Sequence, residues 1–185
     1  MKRQSLRAFF TTGVFATSLL ASSTAMAAVD MFLKVDGVTG ESTAEKHRGE
    51  MDVLAWSWGQ STGAARTGRG TLPAACIQDL SLTKYIDSAS PALITNSLVG
   101  QVAPTAVLVI RKGGERPLDF LTLTMRNVTV AAYNTGGSGG EDRLTENVTL
   151  HFESMQGRYQ RQNSDGSPVG DPITFEIAVG SANCR

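Results

Sequence analysis

The chain is short of the groups that do chemistry. Its 185 residues include two histidines and two cysteines. Neither His47 nor His151 has a partner at a spacing that resembles a metal site, so no metal centre is expected. Cys76 with His151 is the one conceivable nucleophile pair, and nothing local supports it. Carboxylates are plentiful, but no two are marked out for acid and base work. Histidines and carboxylates alike read as solvated surface residues. No catalytic residue, cofactor or enzymatic activity is expected. An excess of charge is missing too: 17 basic residues face 17 acidic ones. No basic patch stands out, which argues against a nucleic-acid partner. No apolar run is long enough to span a bilayer, so membrane insertion is not expected.

What is present begins with a leader. Lys2, Arg3 and Arg7 form a basic start, an uncharged apolar stretch runs from Ala8 to Ala21, and Ala25-Met26-Ala27 is a small-x-small site. This order is that of a secretory signal peptide, set against the alternative of a buried amphipathic helix. Cleavage after Ala27 leaves residues 28–185 as a single domain. It removes three basic residues and no acidic one, so 14 basic side chains then face 17 acidic ones, a net charge of −3. Both cysteines, Cys76 and Cys184, lie in the mature part. An oxidising compartment allows a disulfide between them, set against two independent thiols. Closing so long a loop stabilises by roughly 4–5 kcal/mol in the chain-entropy picture.

The mature chain reads as short strands between turns. Phe32–Val35 is a strand closed by Asp36-Gly37, and Thr39–Glu50 is polar with no apolar face, which predicts a long exposed loop. Met51–Trp58 carries apolar groups on both faces, so coverage on both sides is expected. Gly59–Gly70 predicts a flexible hairpin connection before a strand over Ala75–Tyr85. Ser90 as N-cap, Pro91 in the first turn and Gly100 as stop frame one short helix. Strands follow over 105–111, 118–133, 144–161 and 172–179, with a bulge or bend expected around Arg126-Asn127 and a turn at Asp165-Gly166. Some seven strands and one helix predict a mainly β barrel or sandwich.

Two motifs weigh against ligand chemistry. The glycines of 136–140 follow a strand but lead to Glu141-Asp142-Arg143, not to a helix, and acidic residues there repel phosphate. The sequons at Asn127 and Asn147 fall inside predicted strands and read as chance matches.

Several blocks together resemble the Hcp (haemolysin-coregulated protein) family of bacterial type VI secretion. They are Phe32-Leu33-Lys34-Val35-Asp36-Gly37 with Gly40-Glu41-Ser42, Val53-Leu54-Ala55-Trp56-Ser57-Trp58-Gly59, and Ile77 through Asp87 with Ser90-Pro91. Arg111-Lys112-Gly113-Gly114, Pro117–Leu121 and, most strongly, Ser138 through Val148 follow in family order. The resemblance implies a small barrel of two antiparallel sheets with one short α-helix at its side. It implies a non-enzymatic subunit that closes into hexameric rings, stacks into a tube and carries small effector proteins in its channel. Partners would be other copies of itself, type VI secretion components and such effectors. Glu41 and Ser42 in the polar loop, and Glu141, Asp142, Arg143 and Glu146 in the strongest block, are the expected contacts between subunits.

The leader departs from that picture, because tube subunits assemble in the cytoplasm. Two readings compete. Either the chain is secreted or periplasmic after cleavage at Ala27, a paralogue acting outside the tube as a secreted effector or binding protein. Or translation starts at Met26, and the subunit is cytoplasmic before it is secreted. The ending, Phe175–Arg185, also departs from the family pattern.

Overall fold

The computed structural model describes residues 29–62, 75–114, 116–140, 142–163 and 165–179. The expected leader, its cleavage site, Met26, Glu141 and Cys184 lie outside them, as do residues 63–70 of the expected hairpin connection.

Among the described residues, ten strands and one helix follow the order β1 (Val29–Val35), β2 (Met51–Ser57), β3 (Gln60–Thr62), β4 (Ala75–Ile77), β5 (Leu80–Tyr85), α1 (Ser90–Val99), β6 (Ala103–Lys112), β7 (Leu118–Gly136), β8 (Thr145–His151), β9 (Ser154–Gln162) and β10 (Pro168–Ala178). All pairings are antiparallel. The order β7-β6-β1-β2-β5-β8 closes on itself because β8 also pairs with β7, which makes a six-stranded barrel. The hairpin β9-β10 extends one sheet beyond the closure, and β3 with β4 forms a separate small ribbon.

Closure depends on β7. Its first part pairs with β6 and β9, and its second part, Thr129–Gly136, pairs with β8. Between them Asn127 takes φ 50°, a left-handed conformation that Asn tolerates better than most side chains. Its Nδ2 donates to Glu153 Oε2 at 2.6 Å. The bend expected near Arg126-Asn127 is this corner. A further irregularity in the β7–β8 register falls between Val130 and Ala132.

The core is where alternation points inward. Leu33, Met51, Leu80, Leu108, Met125 and Leu150 are fully buried inside the barrel. Period-two alternation sends residues i, i+2 and i+4 to one face, which gives β5 its inward Leu80-Leu82-Lys84 and β8 its inward Glu146-Val148-Leu150. Helix α1 lies against β7 and buries Leu93, while Leu98 on its far side is 82% exposed. Gly100 ends it with φ 64° and an N–H bonded to the Asn96 carbonyl.

Four expectations are corrected. The run Ala75–Tyr85 is two strands, interrupted at Gln78-Asp79, where Gln78 N–H donates to the Gly59 carbonyl. The run 144–161 is also two, because the chain turns at Phe152-Glu153 to leave the barrel for the outer hairpin. β2 is covered on one face only, with Leu54 exposed. The helix is entered through Ala89, whose N–H donates to the Asp87 carboxylate at 2.9 Å; the Ser90 hydroxyl instead accepts from Asp87 N–H at 3.0 Å.

Candidate functional site

The register places Lys84 directly opposite Glu146, both on inward faces. Both side chains are fully buried. Lys84 Nζ lies 2.7 Å from Glu146 Oε1 and 2.7 Å from Asp87 Oδ1, and it donates to the Tyr85 carbonyl at 2.8 Å. Three acceptors therefore match the three donors of the ammonium group. Tyr133, from the second part of β7, donates its hydroxyl to Glu146 Oε2. Burial, with the adjoining Glu146 carboxylate, pushes the Tyr133 phenol up to about 12. Asp87 completes the set by holding Lys84 on one side and the Ala89 N–H at the helix entry on the other. The cluster thus ties β5, β7 and β8 to the start of α1.

A second buried group lies under the polar loop. Gly40, Ser42 and His47 are buried, so the segment 39–50 is folded onto the barrel and not fully exposed. Its backbone closes on itself through Gly40 N–H to Gly49 O and Ser42 N–H to Glu50 O. His47 is only 5% exposed, which corrects its reading as a solvated residue. Its ring stacks on Phe32 with centroids 4.2 Å apart, and Nδ1 lies 2.8 Å from Glu50 Oε2. Nε2 lies 3.6 Å from Asp119 Oδ1, too far for a hydrogen bond. Arg111 Nε donates to Asp119 at 2.6 Å. Burial raises the Asp119 pKa, but the Arg111 hydrogen bond and charge outweigh that and hold it below its ordinary value.

The expected contact residues separate into two kinds. Glu41 is exposed, and its Oε1 accepts from Ser88 N–H at 3.0 Å, linking the loop to the helix entry. Asp142 and Arg143 are exposed, with the Arg143 guanidinium 4.0 Å above the Tyr85 ring. Ser42 and Glu146, in contrast, are buried within the subunit, and the Glu146 carboxylate is fully used by Lys84 and Tyr133. Alternation carried the missed signal: Lys84 follows Leu80 and Leu82 inward, and Glu146 precedes Val148 and Leu150.

Among the described residues, no group of three or more His, Cys, Asp or Glu could hold a metal ion. No helix among them is long and apolar enough to cross a membrane. His151 is half-buried, with Nδ1 at 2.9 Å from Asp79 Oδ1.

Comparison with known proteins agrees with this architecture. Residues 32–159 match the family described as "Type VI secretion system effector, Hcp". Protein hcp1 of Pseudomonas aeruginosa is 48% identical over 151 residues, which cover 80% of this chain and 93% of that protein. The structure resembles Hcp1 from Salmonella typhimurium with TM-score 0.68 and 33% identity, covering 84% of this chain and 97% of that one. A type VI secretion system effector from Yersinia pestis gives TM-score 0.66 at 31% identity, over 81% of this chain and all of that one. The barrel, the helix clamped at its side and the ordered blocks from Phe32 to Tyr159 make this chain a member of the Hcp family of type VI secretion proteins.

Proposed function

We propose that the chain is a non-enzymatic structural subunit that closes into a hexameric ring and works in type VI secretion. The observation that carries this is the family match across the whole barrel, residues 32–159. The surface supports it. A ring contact is heterologous, so one patch of a subunit meets a different patch of the next. The exposed residues Glu41, Asp142 and Arg143 at the loop and the β7–β8 turn are the polar contacts of that interface, together with Glu141. Ser42 and Glu146 act from inside, by holding the loop and the helix entry in place. Light scattering on the purified chain tests this reading. Assemblies of six are expected, and a strict monomer at high concentration overturns it. Small effector proteins in the ring's channel follow from the same reading and need a pull-down with the assembled ring.

The leader supports an alternative reading. The basic start, apolar stretch and small-x-small site direct the chain to the general secretion route, with residues 28–185 as the exported domain. The exported chain then acts outside the cytoplasmic tube as a secreted effector or binding protein, with Cys76 and Cys184 joined. Fractionation with N-terminal sequencing decides. An N-terminus at Ala28 in the periplasmic fraction is expected; one at Met26 in the cytoplasm returns the chain to the tube.

A further inference from the structure

Strands β1 and β2 share only two rungs, Phe32–Asp52 and Leu33–Met51. Beyond these rungs they separate. Val29–Met31 pair with β6 along one edge, and the part of β2 from Val53 to Ser57 pairs with β5 along one edge. No described strand takes the other edge of either segment. Between them lies a groove of about 510 Å³, walled by Val29, Asp30, Asp52 and Leu54, with Ser42 and Thr43 at its rim. Val29 and Leu54 are 50% and 40% exposed. Asp30 and Asp52 are exposed, no cation lines the groove, and among the described residues neither carboxylate has an ion-pair partner. An open edge of backbone N–H and C=O groups is a template for another strand.

We propose that this groove binds an extended segment of a partner polypeptide by strand addition. Alternation puts Asp30, Asp52 and Leu54 on one face and Val29 on the other, so basic side chains of the segment face the two carboxylates and apolar ones lie on the side of Val29. A strand rises about 3.3 Å per residue, so the free length of β2 takes a segment of about five residues. Charge separates this occupant from a second copy of the chain. The outermost strand of the eight-stranded sheet, β10, carries Asp171 and Glu176 and no basic residue, so it would bring like charge to the groove. The proposal stands apart from ring formation.

The test is hydrogen exchange on the full chain with two short synthetic peptides, one alternating valine with lysine and one alternating valine with glutamate. The lysine peptide is expected to slow exchange at residues 29–31 and 53–57, and the glutamate peptide to leave them unchanged. D30N/D52N should weaken the lysine peptide roughly fivefold to tenfold, the effect of two exposed charge pairs. D30K/D52K should reverse the preference, with unchanged melting as the check on folding. Three outcomes overturn the proposal. They are protection by neither peptide, equal protection by both, and protection that rises with protein concentration when no peptide is present. The first means the carboxylates only keep the edge from pairing, and the third means a second copy covers it.

Discussion

At the scale of single residues, the Lys84–Glu146 pair decides most. Two fully buried charges are tolerated because every donor of Lys84 has an acceptor within hydrogen-bonding distance. Removing Lys84 leaves Glu146 and Asp87 buried without their cation, and removing Glu146 leaves Lys84 with Asp87 as its remaining counter-charge. Lys84→Met or Glu146→Leu is therefore expected to cost about 3–5 kcal/mol in urea unfolding. The double variant K84M/E146L should recover part of that loss, because it removes the unpaired Glu146 carboxylate while Asp87 still lacks its cation. A double-mutant cycle measures the difference, and simple additivity would show that the two groups act separately. Tyr133 gives a pH test of the same cluster. Its phenol is protonated in the folded state up to about pH 12, against an ordinary value near 10. In that window the unfolded chain loses a proton that the folded chain keeps, so stability falls as pH rises. It is fully present below about pH 10 and lost towards pH 12. Alkaline melting curves of wild type and Tyr133→Phe should diverge below pH 10 and converge above it.

At the scale of elements, one helix stop and one close approach set the geometry. Gly100 holds a left-handed φ that a Cβ disfavours, so Gly100→Ala should cost about 1 kcal/mol without changing the barrel. Gly157 on β9 lies under the ring of Phe175 on β10, and a Cβ there would overlap that ring. Gly157→Val should cost about 1–3 kcal/mol and release the outer hairpin first, read as faster hydrogen exchange in β9 and β10. Much of this layer could be read in the sequence. The helix frame at Pro91 and Gly100, the turn at Asp165-Gly166 and the corner near Asn127 all follow from residues with restricted or permissive backbones. Two runs each hid a break, because Gln78-Asp79 and Phe152-Glu153 interrupt pairing without any glycine or proline to mark it. The charged cluster escaped for a related reason. Alternation placed Lys84 and Glu146 on inward faces, but only the register between strands 62 residues apart brings them together. His47 escaped because its loop has no apolar periodicity, and what buries it is the stack on Phe32.

At the scale of the whole molecule, the family and its barrel were visible as ordered blocks, while the open wedge between β1 and β2 was not. The wedge follows from where two strands stop pairing, which no local pattern encodes. The proposed Cys76–Cys184 bond belongs to this scale as well. It would close a loop spanning most of the mature chain and contribute roughly 4–5 kcal/mol. Reduction under native conditions should lower the melting temperature, and Cys184→Ser should remove that sensitivity. No response to reductant would exclude a stabilising bond.

The shared strand β7 also sets a clock. The barrel is complete only when β5 has met β8, which joins Leu80 to Leu150. A chain emerging from the ribosome at its N-terminus has therefore made about four-fifths of its length before closure is possible. Such distant pairings form slowly once the chain is free. For the proposed export route the consequence is that the strands stay open through that interval, so a leader synthesised first would meet the secretion machinery while the chain can still be threaded.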